Sequence, residues 1–259
     1  MKRNYLLIVE GKETEPRLFS QILRRYGFNP VRAKRQTSDG GIEYSREELS
    51  DSVSNVIIAQ AERNRLEEIY KKISNNPSYY DFDHIFKSDD QEIKPYSGIF
   101  LIFDVDHTSN DALSSLCAQF SDETNGMLLV SSPCIEVISE PARKEELRIS
   151  EHIGEYKKQV NTKYNGATQY VIDHFESLII QFLDKNQAEF HEDNVIEHPH
   201  LVVDQINQMN VRNDDGSALY RYFTTVVYVA IAYMKGLTAK VDNCKVVRDF
   251  FEAYTRSIA

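Results

Sequence analysis

Two buried-looking segments stop on acids. In 5-YLLIVEGKETEP-16 an apolar run ends at Glu10, and Gly11 follows before Glu13 and Glu15; in 98-GIFLIFDVDHT-108 a second run ends on Asp104 and Asp106. Carboxylates that converge repel one another and call for a cation. Hard oxygen donors in a half-open site suit Mg²⁺ or Mn²⁺, which keep part of their water shell and complete it with substrate phosphates. A cation so held can polarise a phosphoryl oxygen and acidify a water, which is enough to hydrolyse a phosphodiester without a protein nucleophile. The Asp-Val-Asp spacing serves this purpose, because in an extended chain the middle residue turns away and both carboxylates face one side. A third run, 126-GMLLVSSPCIEV-137, leads to Glu136, which is either a further metal ligand or the first polar position of a helix.

Parallel strands can bring these acids together. Residues 4–9, the stretch opening at 98 and the stretch opening at 126 read as continuous apolar strands with helical material between them, the pattern of a parallel sheet in an α/β fold with helices on both faces. Right-handed crossovers then place the strand C-termini along one edge, where open α/β sheets hold ligands. The helix after the first strand has Thr14 as cap, Pro16 in its first turn, Leu18, Ile22 and Leu23 on one face and a stop at Gly27. Glu13 and Glu15 read as first-turn acids that complement the helix dipole.

Residues 36–96 read as an insertion or lid, with a helix over 53-VSNVIIAQAERNRLEEIYKKI-73. The predicted catalytic domain spans 1–140, with this helical insertion, and a mainly helical subdomain spans 141–259. Helices are expected over 151–164, 167–186, 200–210 and 218–236, the last ended by Gly236. The run 222-YFTTVVYVAIAYM-234 has thirteen uncharged residues. A bilayer span needs about 20. It therefore reads as a buried helix, or as a surface for a second copy or a partner protein.

The 259 residues, 41% hydrophobic, can bury a sizeable core. Cys117, Cys134 and Cys244 form no C-x-x-C pair and no disulfide framework, which suits a reducing cytoplasm, and the apolar run before Glu10 is too short for a signal peptide. The net charge of −10 hides an asymmetry, since residues 1–35 hold nine cations against three glutamates. Five of the cations, Arg24, Arg25, Arg32, Lys34 and Arg35, lie in 24-RRYGFNPVRAKR-35 with two aromatics and no acid. This segment can track a phosphate backbone and stack a base, or be a solvated helix end and loop.

The motifs IVEG at 8–11 and FDVD at 103–106 resemble the Toprim domain, the metal-dependent module of topoisomerases, primases and overcoming-lysogenization-defect nucleases. The longer forms EGKETEP and SSPCIEV are most similar to RloB-like proteins, with Ser132 and Ile135 where those carry Asn and Phe. The resemblance covers roughly residues 4–140. It implies a Mg²⁺-dependent nuclease acting on DNA or RNA, tRNA included, with Glu10 as acid-base or metal-positioning residue and Asp104 and Asp106 as metal ligands. It further implies a role in bacterial anti-phage defence, often beside an ATPase partner as in PARIS systems.

Two alternatives stand beside it. The string 99-IFLIFDVDHT-108 also resembles the opening motif of haloacid-dehalogenase-like phosphatases, with Asp104 as nucleophile, Asp106 as acid-base and Ser131 or Ser132 as phosphate ligand; that reading needs a later lysine and leaves Glu10 unexplained. A non-catalytic subunit on the same fold is the other. His107 beside the aspartates and the cluster 191-HEDNVIEHPH-200 add no regular ligand spacing.

If the basic segment tracks phosphate, replacing its five cations by Gln weakens nucleic-acid binding and flattens its salt dependence by about one unit of log–log slope for each phosphate no longer neutralised. A filter-binding series over salt concentration checks this, and unchanged binding at every salt returns the segment to a solvated surface.

Overall fold

The computed structural model describes residues 2–35, 42–61, 65–75, 96–106, 108–141, 147–149, 153–189, 194–212, 218–238 and 243–258. The chain divides into two compact units, one of residues 1–103 with 107–128 and the other of residues 104–106 with 129–259. Strands β6 (Ile99–Asp104) and β8 (Gly126–Ser132) contribute to both.

The first unit has an α/β sheet. Strand β1 (Asn4–Val9) leads through helix α1 (Thr14–Arg25) to β2 (Asn29–Arg32), then to the short antiparallel pair β3 (Lys34–Arg35) and β4 (Ile42–Glu43), and on to β5 (Asn55–Gln60). Helix α2 (Leu66–Asn75) precedes β6, and α3 (Asn110–Gln119) leads to β7 (Ser121–Asp122), which pairs antiparallel with β8. The strand order is β8-β6-β1-β5-β2, with β1 parallel to β5 and β6 and β2 parallel to β5. Leu6, Ile8 and Val9 of β1 are fully buried, as are Val56, Ile57 and Ala59 of β5, so both faces of these strands are covered. Burial on both faces explains the unbroken apolar runs.

Helix α1 begins as Thr14 enters its first turn, and the cap position belongs to Glu13 rather than Thr14. It ends in a Schellman motif: Phe28 N donates to Leu23 O, Gly27 N donates to Arg24 O, and Gly27 takes φ +77°. The helix expected over 53–73 is instead strand β5 followed by α2. The run Val56–Ala59 is short, β-branched and apolar on both sides, which periodicity alone cannot tell from a buried helix.

Register at the start of the sheet is fixed by asparagines. Asn4, Asn29 and Asn55 stand side by side on β1, β2 and β5. The fully buried Asn55 donates to Asn4 Oδ1 at 3.0 Å and to Ser50 O, and accepts from Asn29 Nδ2 at 2.8 Å and Ser50 N at 2.7 Å. Every polar atom of that amide is thereby used.

The second unit is mainly helical but carries a small sheet that the sequence pattern did not suggest. Strand β9 (Leu147–Ile149) precedes α4 (Ile153–Lys163), α5 (Ala167–Glu189), α6 (Asn194–Glu197) and α7 (Pro199–Met209). After these come β10 (Val211–Arg212), β11 (Ala218–Tyr220), β12 (Phe223–Thr224), α8 (Val226–Met234) and α9 (Asn243–Ile258). The antiparallel order is β10-β11-β9, and β12 pairs antiparallel with the end of β8. The sheet that contains β8 is therefore mixed, though mostly parallel. Helix α5 bends at His174, whose Nδ1 lies 2.9 Å from Tyr170 O, where the side chain competes for a ladder carbonyl.

The helix expected over 218–236 starts only at Val226. Thr224 and Thr225 are taken by β8 instead: Thr224 Oγ1 bonds Ser131 Oγ at 3.0 Å, Val130 N donates to Thr225 Oγ1 at 3.0 Å, and Thr225 N donates to Val130 O. The apolar run that follows is interior. Tyr222, Phe223 and Tyr228 through Ala232 are 0–4% exposed, in keeping with the buried-helix reading of this run rather than its alternative as a partner surface. Gly236 ends α8 as expected, with φ +66°. No helix among the described residues is long and apolar enough to cross a membrane.

Asn55→Ala leaves the polar groups of three neighbours without their partner. It should lower stability in urea by about 2–3 kcal/mol, and a loss below about 0.5 kcal/mol would mean that water replaces the ladder.

Candidate metal centre

Asp104 ends β6, and the chain stays extended beyond it because Val105 N donates to Ser131 O at 3.0 Å and Asp106 N to Pro133 O at 3.1 Å. Both aspartates consequently face the same side, as their spacing predicts. The segment after β8 turns into a 3-10 helix, Ile135–Ser139, and its first amide, Ile135 N, donates to Asp104 Oδ1 at 2.8 Å. That turn brings Cys134 and Glu136 alongside. Ligand atoms of Asp104, Cys134 and Glu136 lie within 4.8 Å of one another, the one such acidic or thiol group of three among the described residues.

A lysine occupies the centre. Lys157 of α4 places Nζ 2.9 Å from Asp104 Oδ2, 3.8 Å from Asp106 Oδ2 and 4.0 Å from Glu136 Oε2. Burial by itself favours the neutral amine, but the carboxylates of Asp104, Glu136 and Asp106 outweigh it and hold the ammonium well above its ordinary pKa. Cys134 is fully buried, and that burial, then Asp104 and Glu136, push its thiol up. It stays protonated, a soft and neutral neighbour.

Helix α4 is seated independently of this lysine. Ile153, Tyr156 and Val160 are buried, Tyr156 donates to the buried Glu140 at 3.2 Å, and Lys163 donates to the other Glu140 oxygen at 2.7 Å. Lys157 lies on the same stripe as Ile153 and Val160 at spacings of four and three. A lysine on an apolar stripe is the signal in the sequence that marks it. Lys157 partly compensates the acids, so removing Asp104 would strand both Lys157 and Ile135 N.

Glu10 belongs to the first unit. Its N donates to Ile102 O on β6 at 3.1 Å, and Arg65 Nε lies 3.9 Å from its Oε1, a second partner that the sequence did not reveal. Gly11 has a specific reason to be glycine. Its N donates to Oε1 of the buried Glu15 at 3.2 Å, and a Cβ there would stand 1.8 Å from Glu15 Oε2. Glu15 is thus a clamp on the turn that carries Glu10, more than an acid near a helix dipole. Glu13 stays exposed, 3.8 Å from Arg32.

No known family, characterised protein or solved structure matches this chain.

The other predicted residues are dispersed. In the first unit Arg24 and Arg32 are exposed and Arg25 half-buried, on α1 and β2; Lys34 and Arg35 form β3, and their side chains lie outside the described residues, as do His107 and His191. In the second unit the His198 and His200 rings are 5.9 Å apart, without a third ligand among the described residues. Ser131 and Ser132 are fully buried, and Ser132 Oγ accepts from Asn210.

Gly11→Ala forces Glu15 out of its clamp. It should cost about 1–2 kcal/mol in unfolding free energy, with Gly11→Ala/Glu15→Ala losing no more than Gly11→Ala alone; additive losses would mean that the two do not act together.

Proposed function

We propose that this chain is a Mg²⁺- or Mn²⁺-dependent nuclease of the Toprim type, hydrolysing phosphodiester bonds in DNA or RNA as an effector of bacterial anti-phage defence. One observation carries the reading: oxygens of Asp104, Asp106 and Glu136 all lie within 4.0 Å of a single point, which in the protein alone is held by the cation of Lys157. The donor set fits a hard divalent ion, and Glu136 Oε2 is a buried oxygen that makes no hydrogen bond. A divalent ion bound there supplies Lewis acidity toward a phosphoryl oxygen and a more acidic water.

The chain's own groups divide the work. Asp104 and Asp106 provide the holding oxygens, and Asp104 is oriented by Ile135 N. Glu136 provides a third oxygen. For Glu10 the acid-base or metal-positioning role rests on the Toprim resemblance alone; within its own unit Arg65 Nε stands 3.9 Å from its Oε1. The cations of residues 24–35 carry the nucleic-acid backbone.

A second reading is favoured by one contact. Lys157 lies on Asp104, and a phosphatase with Asp104 as nucleophile needs such a lysine. Its phosphate ligand is harder to find, because Ser131 and Ser132 are buried and bonded to Thr224 and Asn210.

Plasmid DNA, total RNA and a phosphate monoester, each incubated with the protein and Mg²⁺ or Mn²⁺, separate the readings. Cleavage of a nucleic acid should fall on the order of 100-fold or more in Glu10→Ala, Asp104→Ala, Asp106→Ala and Glu136→Ala. Full nuclease activity in Glu10→Ala sinks the Toprim reading. Monoester hydrolysis lost with Asp104 alone establishes the phosphatase.

A further inference from the structure

From the position of Lys157 we infer that its ammonium is the built-in counter-ion of the acid cluster, exchanged for a divalent cation when one binds, so that this lysine sets how tightly the site takes metal. The inference rests on the metal-dependent reading and deepens it. Its ground is the geometry: one Nζ stands within 4.0 Å of the three oxygens that a metal would use, and two cations cannot share that point. The competition is unequal across the three acids. Asp104 is hydrogen-bonded to the lysine at 2.9 Å, whereas Asp106 and Glu136 stand at 3.8 Å and 4.0 Å, too far for a hydrogen bond.

The lysine has a way out. Its side chain is 33% exposed, against 8% for Asp104, so the four-carbon stem can carry the charge to solvent while α4 stays in place. What holds α4 is separate, namely buried Ile153, Tyr156 and Val160 and the Glu140 bonds to Tyr156 and Lys163. The device therefore needs a rotamer change and no movement of the helix. It offsets part of the acid cluster's charge in the metal-free protein and raises the metal concentration at which the site fills.

Lys157→Met keeps the apolar stem and removes the charge. Titrated calorimetrically with Mn²⁺, this variant should bind at least about ten-fold more tightly than the natural chain. In chelator its melting temperature should fall below that of the natural chain, and Mn²⁺ should raise it by more than it raises the natural chain. Should the variant be unfolded in chelator, micromolar Mn²⁺ should restore its circular dichroism spectrum. Equal affinity in the two proteins, weaker binding in the variant, or an unfolded variant that Mn²⁺ does not rescue would each overturn the exchange while leaving metal binding by the natural chain intact. Absence of Mn²⁺ binding to both proteins would remove the metal-dependent reading itself.

Discussion

Burying several acids in one small volume is the constraint on which the second unit turns. Asp104 is almost fully buried and Asp106 and Glu136 nearly so, with a neutral thiol as the remaining neighbour. Uncompensated, such a group would take up protons or unfold, because a buried carboxylate loses its hydration without replacement. Lys157 supplies part of the missing charge and Ile135 N a directed hydrogen bond. Taking one partner from a buried pair costs about 3–5 kcal/mol, much of it the penalty on the charge left behind. The turn after β8 brings Ile135 N to Asp104, and α4, seated by its own buried face, brings Lys157.

The fold was most legible where physics acts locally. Strands β1, β6 and β8 announce themselves as apolar runs ended by acids, glycine or proline, and α1 by its proline and its terminal glycine. Expectation failed where a tertiary partner overrode the local pattern. Val56–Ala59 looks helical when continued into the charged stretch after it, but Asn55 ties its start to Asn4 and Asn29 and makes it a sheet strand. Residues 218–225 look like the start of an apolar helix until Thr224 and Thr225 are seen to spend their hydroxyls on β8.

For the site the division is similar. Asp104, Asp106 and Glu136 could be named from strand ends and spacing, and the structure draws these three around one cation. Glu10 could be named in the same way, and it takes its place at the end of β1. The groups that compensate them could not. Lys157 is 53 positions from Asp104, and Arg65 is far along the chain from Glu10. Sequence patterns show which side chains are costly to bury, whereas the charge that offsets the cost can come from any element that packs nearby.

The threonine bonds to β8 bear on synthesis. Val130 and Ser131 meet partners 95 and 93 positions later in the chain. Until those residues leave the ribosome, the end of β8 has a bare edge, and the turn bearing Cys134 and Glu136 hangs from a strand without its neighbour. A nascent chain of 200 residues would already contain every acid of the cluster, and Lys157 as well. What it would lack is the later strand that pins their support, so the cluster's final geometry waits for residues made after all of its own members.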